Sequence, residues 1–221
     1  MLRTAVVIYN LGGPDKLESV EPFLFNLFND PLILRQKAPI RWILARLISN
    51  RRAPVARKIY AQIGGKSPIL EETQKQASAL EKALKSDKST KYQVFVAMRY
   101  WHPFAEECLN QVKEFAPNNI ILLPLYPQFS TTTTKSFLQE WRSRVGEQKI
   151  DIPTSMICCY PREKNFITTT AKAIREEIEK LSIPLTNLKI LFSAHGIPKK
   201  FVKDGDPYKN HVNQTVNAIV D

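Results

Sequence analysis

The chain has 221 residues, enough for one large domain or two small ones with real cores. Hydrophobic residues make up 43% and charged residues 24%, values that exclude a disordered or fibrous protein. Lys and Arg number 32 against 21 acids, a net charge of +11, so we expect partners that carry negative charge. No apolar run reaches the roughly 18 residues that a membrane span needs.

The three cysteines, Cys108, Cys158 and Cys159, lack the spacing of a disulfide framework or a zinc site. An odd number without paired spacing is typical of a protein in a reducing compartment. We therefore expect three small buried side chains and a cytoplasmic protein.

Short β-branched runs alternate with helical patterns along the chain, which is typical of an α/β fold with a parallel sheet buried on both faces. The predicted strands, in order, cover 4–11, 92–98, 119–126, 155–160 and 188–194. The predicted helices cover about 16–29, 40–62, 71–86, 104–116, 135–147 and 164–181, and Asp206 with Pro207 predicts the start of a last helix. Gly, Pro and charges at 146–154 predict a boundary between a domain of 1–150 and one of 151–221.

Residues 31–60 form a basic stretch with eight Lys or Arg residues and no acid. Within it, apolar residues recur at helical spacing: Ile40, Ile43, Leu44, Leu47 and Ile48. Periodicity alone favours a helix that buries this face in the core. The absence of acids keeps two further hypotheses open, contact with an anionic membrane surface through 38–52 and a wall of a site for an acidic amphipathic ligand. No nucleic-acid motif accompanies the charge.

In a parallel α/β sheet, ligands bind outside the carboxyl ends of the strands. The first strand runs into NLGGPD, which is not a G-x-G-x-x-G fingerprint, so no dinucleotide is expected. The second ends at Arg99, which fits either a ligand carboxylate or an internal ion pair. The third leads into STTTTKS, where Thr133 or Thr134 is predicted to cap a helix and the hydroxyls offer an alternative phosphate site.

The fifth predicted strand ends at His195, one of three histidines. A histidine is partly neutral at physiological pH and can accept a proton or bind a metal. A histidine in this position is more often a hydrogen-bonded structural residue, so the position alone does not assign a reaction.

Six motifs, taken together, resemble the ferrochelatase family in content, order and spacing. They are NLGGPD, YAQIGGKSPI at 60–69, MRYWHP, LPLYPQFSTTTTKS, SAHGIP and GDPY at 205–208. The resemblance implies two Rossmann-like lobes with a porphyrin in the cleft between them, 1–150 being the N-terminal lobe with a porphyrin-lip helix and 151–221 the beginning of the second lobe. It also implies insertion of Fe(2+), a substrate, into a porphyrin during heme synthesis.

The resemblance also implies roles for single residues. His195 matches the histidine proposed to bind the metal or to take pyrrole protons, and is the expected catalytic and metal residue. The residues expected to bind the porphyrin are Leu11, Ser67, Arg99, Tyr126, Ser130, Phe137 and Tyr160. By the same resemblance, the GG of NLGGPD and the basic lip helix favour protoporphyrin IX over coproporphyrin III as the substrate. The resemblance also implies peripheral contact with the inner face of the membrane.

One departure concerns the family's glutamate that faces the histidine, which has no counterpart in these 221 residues. From the resemblance we expect an incomplete second lobe, no iron–sulfur cluster in this chain, and little or no activity of this polypeptide by itself. The alternative is a non-catalytic fragment that binds a tetrapyrrole or a membrane.

Overall fold

The computed structural model describes residues 1–181 and 188–221. The chain divides into two compact units, which are described separately. Unit 1 consists of Met1–Leu125 and Thr131–Cys158, and unit 2 consists of Tyr126–Ser130 and Cys159–Asp221.

Unit 1 contains a sheet of four parallel strands: β1 (Leu2–Asn10), β2 (Thr90–Met98), β3 (Asn119–Pro124) and β4 (Thr154–Met156). Their spatial order is β2-β1-β3-β4. β1 pairs with β2 from Leu2↔Thr90 to Asn10↔Met98, and with β3 from Thr4↔Asn119 to Tyr9↔Pro124. β1 is buried from Thr4 to Tyr9, because it lies between two strands and has helices packed against the sheet. The predicted α/β class with a parallel sheet is confirmed.

The longer helices lie within a few residues of their predicted positions. They are α1 (Val20–Phe28, after a 3₁₀ turn at Leu17–Ser19), α2 (Ala38–Gln62), α3 (Ile69–Leu84), α4 (Ala105–Phe115), α5 (Ser136–Glu147), α6 (Lys164–Lys180) and α8 (Tyr208–Val220). A short helix, α7 (Lys199–Lys203), was not predicted. Among the residues that the structure describes, no helix combines the length and hydropathy needed to cross a bilayer.

The helix of the basic stretch, α2, buries the face opposite to the one that its apolar periodicity predicts to be in the core. Its buried residues are Ala45, Ser49 and Ala53, which lie on the side that packs against α1. Ile43 and Leu47, on the predicted core face, are 54% and 61% exposed. Small side chains allow α1 and α2 to approach closely, so α2 packs through its small face and leaves Ile40, Ile43 and Leu47 exposed.

Unit 2 contains α6, α7 and α8, and its described residues include no strand. The predicted strand at 188–194 is therefore wrong. These residues have no regular secondary structure, and Leu191 is 91% exposed. A strand exists only when a neighbour satisfies its backbone groups, and none of the described residues pairs with 188–194.

The two compact units divide after Cys158, and β4, which pairs with β3, belongs to the sheet of unit 1. The boundary between lobes at 146–154 stays a prediction. β4 is also shorter than the predicted 155–160. Cys108 is buried, as expected, and desolvation raises the pKa of its thiol. The expectation is wrong for Cys158, which is exposed.

Candidate functional site

Arg99 lies at the carboxyl end of β2 and makes an internal ion pair with Asp30. Its Nη2 donates to Asp30 Oδ2 at 3.0 Å, and its Nε donates to Ser136 Oγ at 2.7 Å. The Asp30 side chain is 1% exposed and that of Arg99 is 16% exposed. Of the two interpretations of Arg99, the structure therefore shows the internal ion pair. Its two residues, Arg99 and Asp30, are 69 positions apart in the sequence.

Asp30 is the centre of a buried polar network. In addition to Arg99, the hydroxyls of Tyr100 and Ser136 donate to its Oδ2, and the Leu32 N–H donates to its Oδ1 at 2.7 Å. Burial and the negative charge of Asp30 raise the pKa of Tyr100. The network joins the region after α1, the end of β2 and the start of α5, so it fixes three segments at one edge of the sheet.

Leu11 and Ser67 lie at the same edge, in the corner formed by NLGGPD. The Leu11 carbonyl accepts the Tyr100 N–H at 2.9 Å, and the Ser67 N–H donates to the Pro14 carbonyl at 2.8 Å. A Cβ atom at Gly13 would lie 2.6 Å from the Ser67 hydroxyl. The second glycine of this motif is thus required for the approach of the Ser67 segment.

Phe137 belongs to the core. Its ring is fully buried and stacks on Tyr9 with a centroid distance of 3.9 Å, with Trp141 on α5 next to it. The preceding residues, Thr131–Lys135, form a π-helical turn that continues into α5. The predicted cap at Thr133 or Thr134 is therefore wrong, and Thr134 is fully buried, which removes its hydroxyl from a surface phosphate site.

An apolar groove, here named the α1–α2 groove, has a volume of about 660 Å³ in unit 1. Its apolar walls include Leu24, Phe28, Ile33, Ile48, Val55 and Ile59, and Arg51 and Arg52 also line it. The Arg52 guanidinium lies over the Phe28 ring at 5.3 Å. This arrangement suits a flat apolar ligand with anionic substituents.

Several other cations of the basic stretch are used in contacts within unit 1. Arg46 and Arg57 both pair with Glu21, at 2.9 and 3.6 Å, and Arg41 donates to the Asn29 carbonyl at 2.8 Å. Arg51, by contrast, makes no ion pair within the described residues. These arginines are alike in sequence pattern, and their positions on α2 relative to α1 decide which of them form contacts within unit 1.

In unit 2, α8 holds the segment that contains Tyr126 and Ser130. Ser130 Oγ donates to Asp206 Oδ2 at 2.9 Å, the Phe129 N–H donates to His211 Nδ1 at 3.2 Å, and Gln128 Nε2 donates to Thr215 Oγ1 at 3.0 Å. His211 and Thr215 were missed by the sequence reasoning. Their spacing of four residues, which places two polar side chains on one helix face, is the signal that was available.

Tyr160 is tied to the same part of unit 2. Its N–H donates to the Pro127 carbonyl at 2.8 Å, and Thr215 Oγ1 donates to the carbonyl of the next residue, Pro161, at 2.8 Å. Burial raises the pKa of Tyr160 to about 12. The phenol therefore stays protonated throughout the physiological pH range.

His195 is exposed and lines a hollow of about 510 Å³ in unit 2, here named the His195 hollow. Tyr208 lines it as well, together with Lys199, Lys203 and Lys209. Three ammonium groups give the hollow a positive potential that favours an anionic group. Across the described part of the chain, no three His, Cys, Asp or Glu side chains are grouped as a metal site.

Comparison with known proteins gives the same family as the motifs. The family model described as Ferrochelatase matches residues 3–221. The chain belongs to the ferrochelatase family. The α/β unit with its parallel sheet is consistent with a Rossmann-type lobe of that family.

Curated ferrochelatases of three bacteria show how much of the family's length is covered. The chain is 49% identical over 221 residues to "Ferrochelatase" of Pelagibacter ubique, covering 100% of this chain and 63% of that protein. It is 49% identical over 218 residues to that of Rickettsia bellii, covering 99% of this chain and 59% of that protein. It is 46% identical over 220 residues to that of Wolbachia sp. subsp. Drosophila simulans, covering 100% of this chain and 70% of that protein. The chain thus spans about three fifths of the length of the first two ferrochelatases.

Proposed function

We propose that the protein is a cytoplasmic ferrochelatase of heme synthesis that inserts Fe(2+) into a porphyrin, with protoporphyrin IX favoured over coproporphyrin III. The proposal rests on membership of the family and on one observation of the structure, the α1–α2 groove. That groove combines apolar walls with Arg51 and Arg52, as a macrocycle with propionate groups requires.

The reaction replaces two pyrrole protons by one ferrous ion. Two N–H bonds break, four Fe–N bonds form, and the iron remains ferrous. His195 is exposed, so its imidazole can accept one proton and release it to water before accepting another. We propose His195 as the residue that takes the pyrrole protons or binds the metal. The proposed substrate-binding residues, none of which lines the α1–α2 groove, are Leu11, Ser67, Arg99, Tyr126, Ser130, Phe137 and Tyr160.

Two of these residues are proposed to act indirectly. Arg99 is paired with Asp30, so its charge is already compensated within unit 1. Phe137 is stacked in the core on Tyr9. Both therefore support the shape of the strand-end loops more directly than they contact a ligand.

Because we expect little or no activity of these 221 residues by themselves, the variants are compared in the full-length protein. An anaerobic assay of ferrous insertion, followed by porphyrin absorbance, tests its activity with protoporphyrin and coproporphyrin as separate substrates. We expect His195→Ala to lower kcat at least about a hundredfold, since a positioned general base contributes roughly 10² to 10⁴. The matched control is His102→Ala, which removes an exposed histidine paired with Glu107 at 2.8 Å. Equal turnover of His195→Ala and the unmodified protein would remove His195 from this role.

The groove is tested by Arg51→Gln and Arg52→Gln. Each removes one charged donor, and we expect porphyrin affinity to fall about tenfold with little change in kcat. Lys58→Gln is the control, because Lys58 is an exposed cation of α2 that does not line the α1–α2 groove. A fall of the same size in Lys58→Gln would indicate general charge attraction and not a site at Arg51 and Arg52.

We also propose peripheral membrane contact through 38–52. Ile40, Trp42, Ile43 and Leu47 are all at least 50% exposed, next to arginines, as in helices that lie in an anionic membrane surface. Flotation with phosphatidylcholine vesicles, with and without phosphatidylglycerol, tests this. We expect binding to the anionic vesicles and roughly tenfold weaker binding for Leu47→Ser. Val220→Ser, which removes an exposed apolar side chain outside α2, should bind like the unmodified chain.

A further inference from the structure

The GDPY motif forms a compact turn that leads into α8. Gly205 has a φ of +91°, a left-handed conformation that favours glycine. The Asp206 N–H then donates to the carbonyl of Phe201, a buried residue of α7, at 3.0 Å. Pro207 precedes the first residue of α8, Tyr208. The motif therefore fixes where α8 begins.

Asp206 is buried, with 5% exposure, and its carboxylate is used on both oxygens. Oδ1 accepts the Tyr208 N–H at 2.9 Å, which fixes the first turn of α8. Oδ2 accepts the Ser130 hydroxyl at 2.9 Å, which ties in the segment with Tyr126. The start of this helix predicted from Asp206 and Pro207 is one residue early, since Pro207 is the N-cap and the first helical residue is Tyr208. The Asp206 carboxylate still accepts the N–H of that first residue, and it also accepts the Ser130 hydroxyl.

Tyr208 connects this turn to His195. The His195 N–H donates to the Tyr208 hydroxyl oxygen at 3.2 Å, and both residues line the His195 hollow. Residues 188–198 have no helix or strand. The backbone at His195 is therefore not held by a helix or a strand, and the bond to Tyr208 acts on it directly.

We propose that Tyr208 is the positioning residue for His195, and that Asp206 holds Tyr208 and Ser130 in the arrangement which this requires. The inference rests on the proposed function, which gives His195 its role in the reaction. It adds the residues that position His195. The chain of contacts runs from Ser130 through Asp206 and Tyr208 to His195, all within unit 2.

The first experiment is Tyr208→Phe in the intact protein, which removes the oxygen and keeps the ring. We expect kcat for ferrous insertion to fall about fivefold to tenfold, with the KM for porphyrin and the melting temperature nearly unchanged, because one neutral hydrogen bond is lost. Hydrogen exchange of the His195 amide, measured by NMR, should become faster by a similar factor. Tyr92→Phe is the control, since its hydroxyl donates to Asp87 on the surface of unit 1.

The second experiment compares Asp206→Asn with Asp206→Ala. A carboxamide can accept from the Tyr208 N–H and donate to the Ser130 hydroxyl, so Asn keeps both contacts. We expect Asp206→Asn to retain most of the turnover and the slow exchange of the His195 amide, and Asp206→Ala to lose both. Equal losses in the two variants would overturn the role of Asp206.

The outcomes separate this inference from the proposed function. If His195→Ala leaves turnover unchanged while Tyr208→Phe speeds exchange of the His195 amide, the proposed role of His195 fails and the contact stands. If His195→Ala abolishes turnover while Tyr208→Phe changes neither kcat nor exchange, the positioning role is wrong. A fall in melting temperature and porphyrin affinity that matches the fall in kcat would make Tyr208 a general structural residue and also overturn it.

Discussion

Replacing Asp30 with Ala removes the centre of the buried network in unit 1. The substitution removes the 3.0 Å ion pair of the Arg99 guanidinium, whose side chain is 16% exposed, and leaves it the longer contact with Glu140 at 3.9 Å. It also deprives the hydroxyls of Tyr100 and Ser136 of the Asp30 acceptor. Breaking a buried ion pair by removing one partner costs about 3 to 5 kcal/mol. We expect the free energy of unfolding of unit 1 to fall by about that amount.

Urea denaturation followed by tryptophan fluorescence measures this loss, since Trp42, Trp101 and Trp141 all lie in unit 1. Glu72→Ala, which removes one partner of an exposed pair with Lys75, should produce little measurable change. A second substitution, Arg99→Met, should restore part of the stability of Asp30→Ala, because it removes a largely buried cation that keeps only the 3.9 Å contact with Glu140 among the described ion pairs. The reasoning is refuted if Asp30→Ala costs less than about 1 kcal/mol, or if Arg99→Met makes it worse.

Three further predictions concern single side chains. Phe137→Ala should lower the free energy of unfolding by about 3 to 5 kcal/mol in urea denaturation, because it empties a fully buried stacking position; a loss below about 1 kcal/mol would contradict this. Gly13→Ala should cost about 1 to 3 kcal/mol because its methyl group meets Ser67, whereas Gly146→Ala, in open space on α5, should be neutral or stabilising. Glu163 accepts backbone N–H bonds at the start of α6, and these bonds lower its pKa from 4.5. In thermal melts, the stability that Glu163 adds relative to Glu163→Gln should therefore be at its maximum above pH 4.5 and should decrease as the pH falls below it. A difference that grows in acid would contradict the assignment.

The helices and the parallel sheet could be predicted because they depend on local patterns. β1 reads as a continuous apolar run since it is buried on both faces, and α4 and α6 carry regular apolar faces. The strand predicted at 188–194 had the same local pattern. It failed because a strand also needs a hydrogen-bonded neighbour, which a local pattern does not contain.

The orientation of α2 and the network of Asp30 could not be predicted for a related reason. Periodicity shows that α2 has an apolar face, but α1 packs on the face with Ala45, Ser49 and Ala53. The pair of Asp30 with Arg99 joins residues distant in sequence, and no single motif contains both. Motif resemblance indicated the end of β2 as part of a site, but it could not show that Arg99 is compensated internally.

The contacts of α8 have a consequence for the order in which the chain assembles. The bonds that join 128–130 to Asp206 and to α8 link residues 76, 82 and 87 positions apart. Closing such a loop costs conformational entropy before any contact between its ends stabilises it. This free-energy cost rises by only about 0.6 kcal/mol for each doubling of the loop length. During synthesis, the 128–130 segment emerges long before its partners on α8. Unit 1, whose sheet needs only the residues up to β4, can form first, and the bond between Ser130 and Asp206 can form only after Asp206 has left the ribosome.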